Sequence, residues 1–180
     1  MNEKVTFAED LTNNTDTAVN EDLATDDSAL LGAKIISTES YTEGRKYITK
    51  TIYELPDGTT ITDQLVVGTD FLRSANETET ATRTRTIENF GTIKIKATFS
   101  WYTAGKFSYV KCTSMTATPP TKNGVVCDKW DTEYTSEYVS IGKAKAQVSY
   151  QFHLKDAPAK YVDGTFKITC TDNGTISDNG

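Results

Sequence analysis

The chain has 180 residues, a net charge of −6, three cysteines and one histidine, which suits a single domain large enough to bury a core. The charge is uneven: residues 1–32 carry eight acids against Lys4, which is −7, while residues 33–180 carry 17 acids and 18 bases, which is +1. A nearly neutral body excludes the basic footprint of non-specific nucleic-acid binding, and no apolar run is long enough to span a membrane as a helix.

The 31 threonines, with Tyr, Val and Ile, suit the pleated surface of strands. No long stretch repeats apolar residues at helical spacing, so the expectation is all-β. Residues 1–32 are polar and poor in aromatics and read as an acidic disordered leader or linker. Within it, Leu30 and Leu31 before Gly32 are able to dock as a short turn. Strands are then expected at Lys34–Tyr41, Arg45–Leu55 and Thr59–Val67, with Pro56-Asp57-Gly58 as a tight turn. Asp63 interrupts the face shared by Ile61, Leu65 and Val67, which predicts a bulge or a place near a sheet edge. Gly68–Asn76 reads as a loop or one helical turn around Phe71 and Leu72.

In the next stretch Glu77, Glu79, Ala81, Arg83 and Arg85 lie on one side of an extended chain, and Thr78, Thr80, Thr82, Thr84 and Thr86 on the other. Neither side is apolar, which predicts a charged edge strand or loop. The alternative is a flat threonine array that grips a ligand, an arrangement that matters when repeated in register on several strands. The clearest hairpin runs from Gly91 to Ala117, turning at Tyr102-Thr103-Ala104-Gly105. Its first strand directs Ile93, Ile95, Ala97, Phe99 and Trp101 to one face, so Trp101 reads as core.

Thr118–Gly124 reads as another hairpin turn, and residues 125–141 as a short strand, a loop and the start of a further strand. Ala144, Ala146, Val148, Tyr150, Phe152 and Leu154 alternate with polar residues in a strand. Asp163-Gly164 is expected to turn into a strand carrying Phe166, Ile168 and Cys170 inward, followed by a turn at Asp172-Asn173-Gly174. The sum is an antiparallel β-sandwich of about eight or nine strands over residues 33–180, with a barrel as the alternative.

A hairpin centred on Pro119-Pro120 would set Cys112 opposite Cys127, which predicts a disulfide between them; Cys112–Cys170 and three thiols are the alternatives. The cysteine and histidine spacing does not fit zinc. His153 falls on a wet strand face with no recognisable nucleophile motif beside it. TDNGTISDNG lacks the acids of a calcium loop and reads as a turn, and Asp128, Asp131 and Glu133 offer at most an adventitious ion site. No metal or cofactor is implied. Asn13, Asn76 and Asn173 begin N-x-Thr sequons, which arise by chance in so threonine-rich a chain. Aromatics near the irregular segment are the best binding candidates: Trp130, Tyr134 and Tyr102, which could stack on sugar rings or anchor a protein.

The opening MNEKVTFAED has no apolar signal-peptide core, yet an acidic Asn/Thr/Asp-rich segment before a Thr- and Tyr-rich β domain suits an exported bacterial protein. A secreted or cell-envelope location is therefore expected, with any signal peptide outside the given chain. The runs IYELPDGTTITDQL, AKAQVSYQFHL and FKITCTDNGTIS, within residues 45–177, resemble uncharacterised small exported β-sandwich proteins of Gram-positive bacteria. That resemblance implies an exported β domain and brings no catalytic residues. The functional expectation is a non-enzymatic exported or cell-surface domain that binds a protein or envelope component. A carbohydrate-binding module with an aromatic patch is the alternative, and a small hydrolase the third.

Overall fold

Strict alternation of side chains builds the core. On β5 (Gly91–Ala104), Ile93, Ile95, Ala97, Phe99 and Trp101 are buried, while Thr92, Lys94 and Lys96 between them are exposed. The computed structural model describes residues 27–68 and 76–178. The leader before Asp27, the Asn13 sequon and the loop around Phe71 and Leu72 lie outside those residues.

The described chain begins with a short 3-10 turn, Ser28–Leu30, and continues as β1 (Lys34–Glu43), β2 (Lys46–Glu54), β3 (Thr60–Gly68), β4 (Asn76–Ile87) and β5. After β6 (Phe107–Thr118) come β7 (Val125–Tyr134), β8 (Val139–Ser140), β9 (Lys143–Leu154), β10 (Ala157–Thr171) and β11 (Ile176–Ser177). They form two antiparallel sheets, a large one of seven strands ordered β1-β2-β3-β4-β5-β6-β8 and a small one of four ordered β11-β10-β9-β7. The sheets face one another as an open sandwich, not a barrel. Nine strands longer than two residues match the expected eight or nine. The small sheet lies over β4, β5 and β6 through β9 and β10. Between them Phe99, Trp101, Val148, Phe152, Phe166 and Ile168 form the centre of the core, each worth about 1.5–3 kcal/mol of transfer free energy on full burial.

The alternation-based expectations hold for the buried face of β3 and for β5 and β9, while β1 and β2 form where strands were expected but without period-2 burial. Trp101 is core, 3% exposed, with its indole closed over by Gly174 of the turn at Asp172-Asn173-Gly174. Four expectations are overturned. The threonine-rich stretch is β4, which sits centrally between β3 and β5 and not at an edge. Asp63 makes neither a bulge nor an edge, since β3 keeps unbroken register with β2 and β4 as the third of seven strands. Residues 125–141, by contrast, do follow the expected order of strand, loop and short strand, with the period of β7 masked by a bulge between Cys127 and Lys129.

Asp163-Gly164 is not a turn but the middle of β10, opposite Gln151 and Tyr150, and the real reversal falls at Lys155-Asp156. Gly164 serves close approach instead. A Cβ there would lie 2.5 Å from Asp27 Oδ1, 2.9 Å from Ala29 Cβ and 3.1 Å from the Tyr150 hydroxyl. The glycine thus admits the Ser28–Leu30 turn against the sandwich, where Asp27, Ala29 and Leu30 are buried and Leu31 is exposed. Residues 27–30, inside the range read as a leader, accordingly belong to the packed part of the described chain.

The fourth correction is the Cys112–Cys127 disulfide, which does not form. Residues 119–124 make no hairpin turn; they carry the chain from the large sheet to the small one. Cys112 therefore stands on β6 opposite Phe99, buried, while Cys127 stands on β7 opposite Phe152, exposed. All three cysteines are thiols.

Candidate functional site

β4 puts its two kinds of side chain to different uses. Its inward residues Ala81, Arg83, Arg85 and Ile87 are all buried, with Arg85 fully so. Register sets Asp63 of β3 opposite Arg85. Arg85 donates through Nε to Asp63 Oδ1 at 2.7 Å and through Nη2 to Oδ2 at 2.6 Å, and Arg83 Nη2 donates to the same Oδ2 at 2.7 Å. Arg85 Nη1 is closed by Asp27 and by the Tyr150 hydroxyl at 3.1 Å. Arg83 Nη1 donates to the carbonyl of Lys167 at 2.7 Å and of Asp178 at 3.2 Å. The Phe166 ring lies 4.4 Å from the Arg83 guanidinium carbon and 4.9 Å from that of Arg85, adding cation–π contact.

Three titratable groups here, Asp63, Arg85 and Tyr150, are each held in one state. Burial alone would raise the Asp63 carboxyl, but the charges and hydrogen bonds of Arg85 and Arg83 outweigh it and hold it below the ordinary range. Burial likewise disfavours the Arg85 charge, yet Asp63 and Asp27 keep it firmly protonated. Burial, only partly offset by Arg85, pushes the Tyr150 phenol up to about 12. Groups so far from neutrality and so covered from solvent do not exchange protons at working pH. This cluster ties β3, β4, β10 and the Asp27 segment together; it is an interior brace.

The outward side of β4 is different. Thr78, Thr80, Thr82, Thr84 and Thr86 align in register with Ser100, Thr98, Lys96, Lys94 and Thr92 of β5. Beyond these, β6 adds Lys111, Ser114, Thr116 and Thr118 on the same face. The threonine row of β4 stays single, and is flanked by mixed rows of hydroxyls and lysines on β5 and β6. Its hydroxyls bond across the ladder, Thr80 to Thr98 at 2.9 Å and Thr86 to Thr92 at 3.0 Å.

At the β5–β6 turn this face ends in tyrosines. Tyr102 stacks on Tyr109, its cross-strand partner, with ring centroids 4.9 Å apart, and meets Tyr138 edge-on at 4.8 Å. Lys111 Nζ lies 4.3 Å from the Tyr138 ring centre. Phe107, 53% exposed, shares the outward parity of Tyr109. Beside β8, Ile141 is 79% exposed and holds φ 53, a left-handed conformation costly for a β-branched residue.

The aromatic candidates from sequence are not brought together. Tyr102 belongs to this outward cluster on the large sheet. Trp130 pairs with Tyr150 on β7, half-buried, and packs on Phe152 at 6.1 Å. Tyr134, 45% exposed, pairs with Ala146 at the far end of the same strand. Sequence reasoning missed Tyr109, Ile141 and the Arg–Asp brace. The signal for the brace was present: Asp63 breaks one apolar face and two arginines break the next.

The remaining polar candidates have local partners. His153 Nδ1 is 2.7 Å from Asp128 Oδ2; Asp131 pairs with Lys129 at 3.6 Å, and Glu133 with Lys145 at 2.8 Å. Burial, with Asp128 adding to it, raises the Cys127 thiol, and burial raises that of Cys112, the reverse of an activated nucleophile. Among the described residues no cluster of His, Cys, Asp and Glu has the arrangement of a metal site. No protein-family model matches the chain, and comparison with curated proteins and with solved structures finds no match.

Proposed function

We propose that this chain is a non-enzymatic exported or cell-surface β-sandwich that binds an envelope component through the outward face of its large sheet. The observation that carries the proposal is the tyrosine cluster of Tyr102, Tyr109 and Tyr138, flanked by exposed Phe107 and by Ile141 in a strained conformation. A contiguous exposed aromatic patch marks an interaction surface, and a left-handed isoleucine opposes folding, so both point to a use outside the fold. The patch continues into rows of hydroxyls, which both donate and accept as sugar hydroxyls do, and this match favours an envelope glycan. Tyr102 is kept from the sequence-based set because it stacks on the outward Tyr109, while Trp130 packs against the core through Phe152. Export rests on composition and on the resemblance to exported Gram-positive β proteins.

The test is co-sedimentation with purified bacterial cell envelopes. Wild-type protein is expected to pellet, and a Tyr102→Ala/Tyr138→Ala double variant of unchanged melting temperature is expected to bind at least about tenfold more weakly. Full binding by that variant would count against this face.

A further inference from the structure

The tyrosine cluster is one end of a longer surface whose charge is one-sided. The outward strand positions of β4, β5 and β6 carry hydroxyls, aromatics, Ala104 and three lysines, and no acid at all, in a chain with 25 acids and a net charge of −6. The lysines are Lys94, opposite Thr84 and Thr118; Lys96, opposite Thr82 and Thr116; and Lys111, opposite Ser100. Among the described residues neither Lys94 nor Lys96 pairs with a carboxylate. At about 3.4 Å per residue along β5, the lysine rows span about 20 Å, and the Tyr102–Tyr109 row lies about 7 Å further on.

Resting on the binding role proposed above, we infer that the ligand of this face is an anionic polysaccharide bearing carboxylates. The carboxylates sit over Lys94, Lys96 and Lys111, sugar hydroxyls bond the threonine rows, and a terminal ring packs against Tyr102 and Tyr138. Threonine and serine hydroxyls both donate and accept, which matches sugar hydroxyls. An acidic peptide is a poorer fit, because β4 and β5 are paired on both sides and have no backbone edge to offer an extended strand. Nucleic acid requires a denser basic surface than three lysines.

Affinity electrophoresis with polygalacturonate as the probe, at low and high salt, tests this, with dextran and duplex DNA as comparisons. The expected result is retardation by polygalacturonate alone, relieved by salt, and weakened about tenfold in a Lys94→Ala/Lys96→Ala variant of unchanged melting temperature. Equal retardation by dextran, or retardation by DNA alone, would overturn the inference. So would envelope co-sedimentation that depends on Tyr102 and Tyr138 but is indifferent to salt and to the lysine pair; that result would leave the binding role standing. Loss of both envelope and polygalacturonate binding would sink the role and the ligand together.

Discussion

The inward and outward sides of β4 are equally polar in sequence but differ in what answers them. Inward, Arg83 and Arg85 meet Asp63, Asp27, Tyr150, Phe166 and backbone carbonyls under the small sheet, with Arg83 Nε alone of their guanidinium nitrogens left without a hydrogen bond among the described residues. Outward, Thr78 to Thr86 meet their neighbours on the same sheet, with lysines and tyrosines beside them and, among the described residues, no second sheet above. Polar character alone therefore says little about exposure. What decides it is whether the adjacent strand supplies complementary charge.

The comparison breaks most severely at Asp63. An Asp63→Ala substitution leaves two buried guanidinium groups without their shared carboxylate, which is expected to cost about 3–5 kcal/mol and lower the melting temperature by about 10 °C. Calorimetry checks it; a change below about 1 kcal/mol would mean the brace contributes little. Acid should act through the same group. Asp63 has a depressed folded pKa, so its stabilisation is fully present above the unfolded value of about 3.9 and is lost as pH falls through the lower folded value. Wild-type melting temperature should therefore drop steeply below about pH 4, and an Asp63→Asn variant, lower at neutrality, should lack most of that limb.

A smaller effect is expected at Gly164, where an added Cβ meets Asp27 and Ala29. Gly164→Ala should push the Asp27 segment off β10 at a cost of about 1–3 kcal/mol, read by urea titration. An unchanged midpoint would show that the segment docks loosely. The outward face should respond in the opposite sense. Replacing Ile141 by glycine relieves its left-handed strain and should raise stability by about 1 kcal/mol while weakening envelope binding. Loss of stability would remove the argument that Ile141 is kept for contact.

Most of the sandwich was legible because period-2 alternation survives in β3, β5 and β9, and turn chemistry marks Pro56-Asp57-Gly58 and Asp172-Asn173-Gly174. What escaped depended on partners far away in sequence. β4 looked like an edge because Arg83 and Arg85 count as polar until Asp63 and Asp27 are set against them. Gly164 looked like a turn because the residue it makes room for is 137 positions earlier, at Asp27. The disulfide failed for a topological reason, since equal spacing about Pro119-Pro120 predicts pairing only if the two strands share a sheet. The outward cluster was half-seen: Tyr102 was among the binding candidates, but Tyr109 joins it only through the β5–β6 register and Tyr138 only through the pairing of β8 with β6.

The claim that the outward face of the large sheet is the working surface is tested most directly by lysine acetylation with mass spectrometry, with and without saturating envelope material. Lys94, Lys96 and Lys111 should become protected, while Lys129, Lys145 and Lys155 on the small sheet and its loop keep their reactivity. Protection confined to Lys129 and Lys145 would contradict the account and move the working surface to the opposite side of the sandwich.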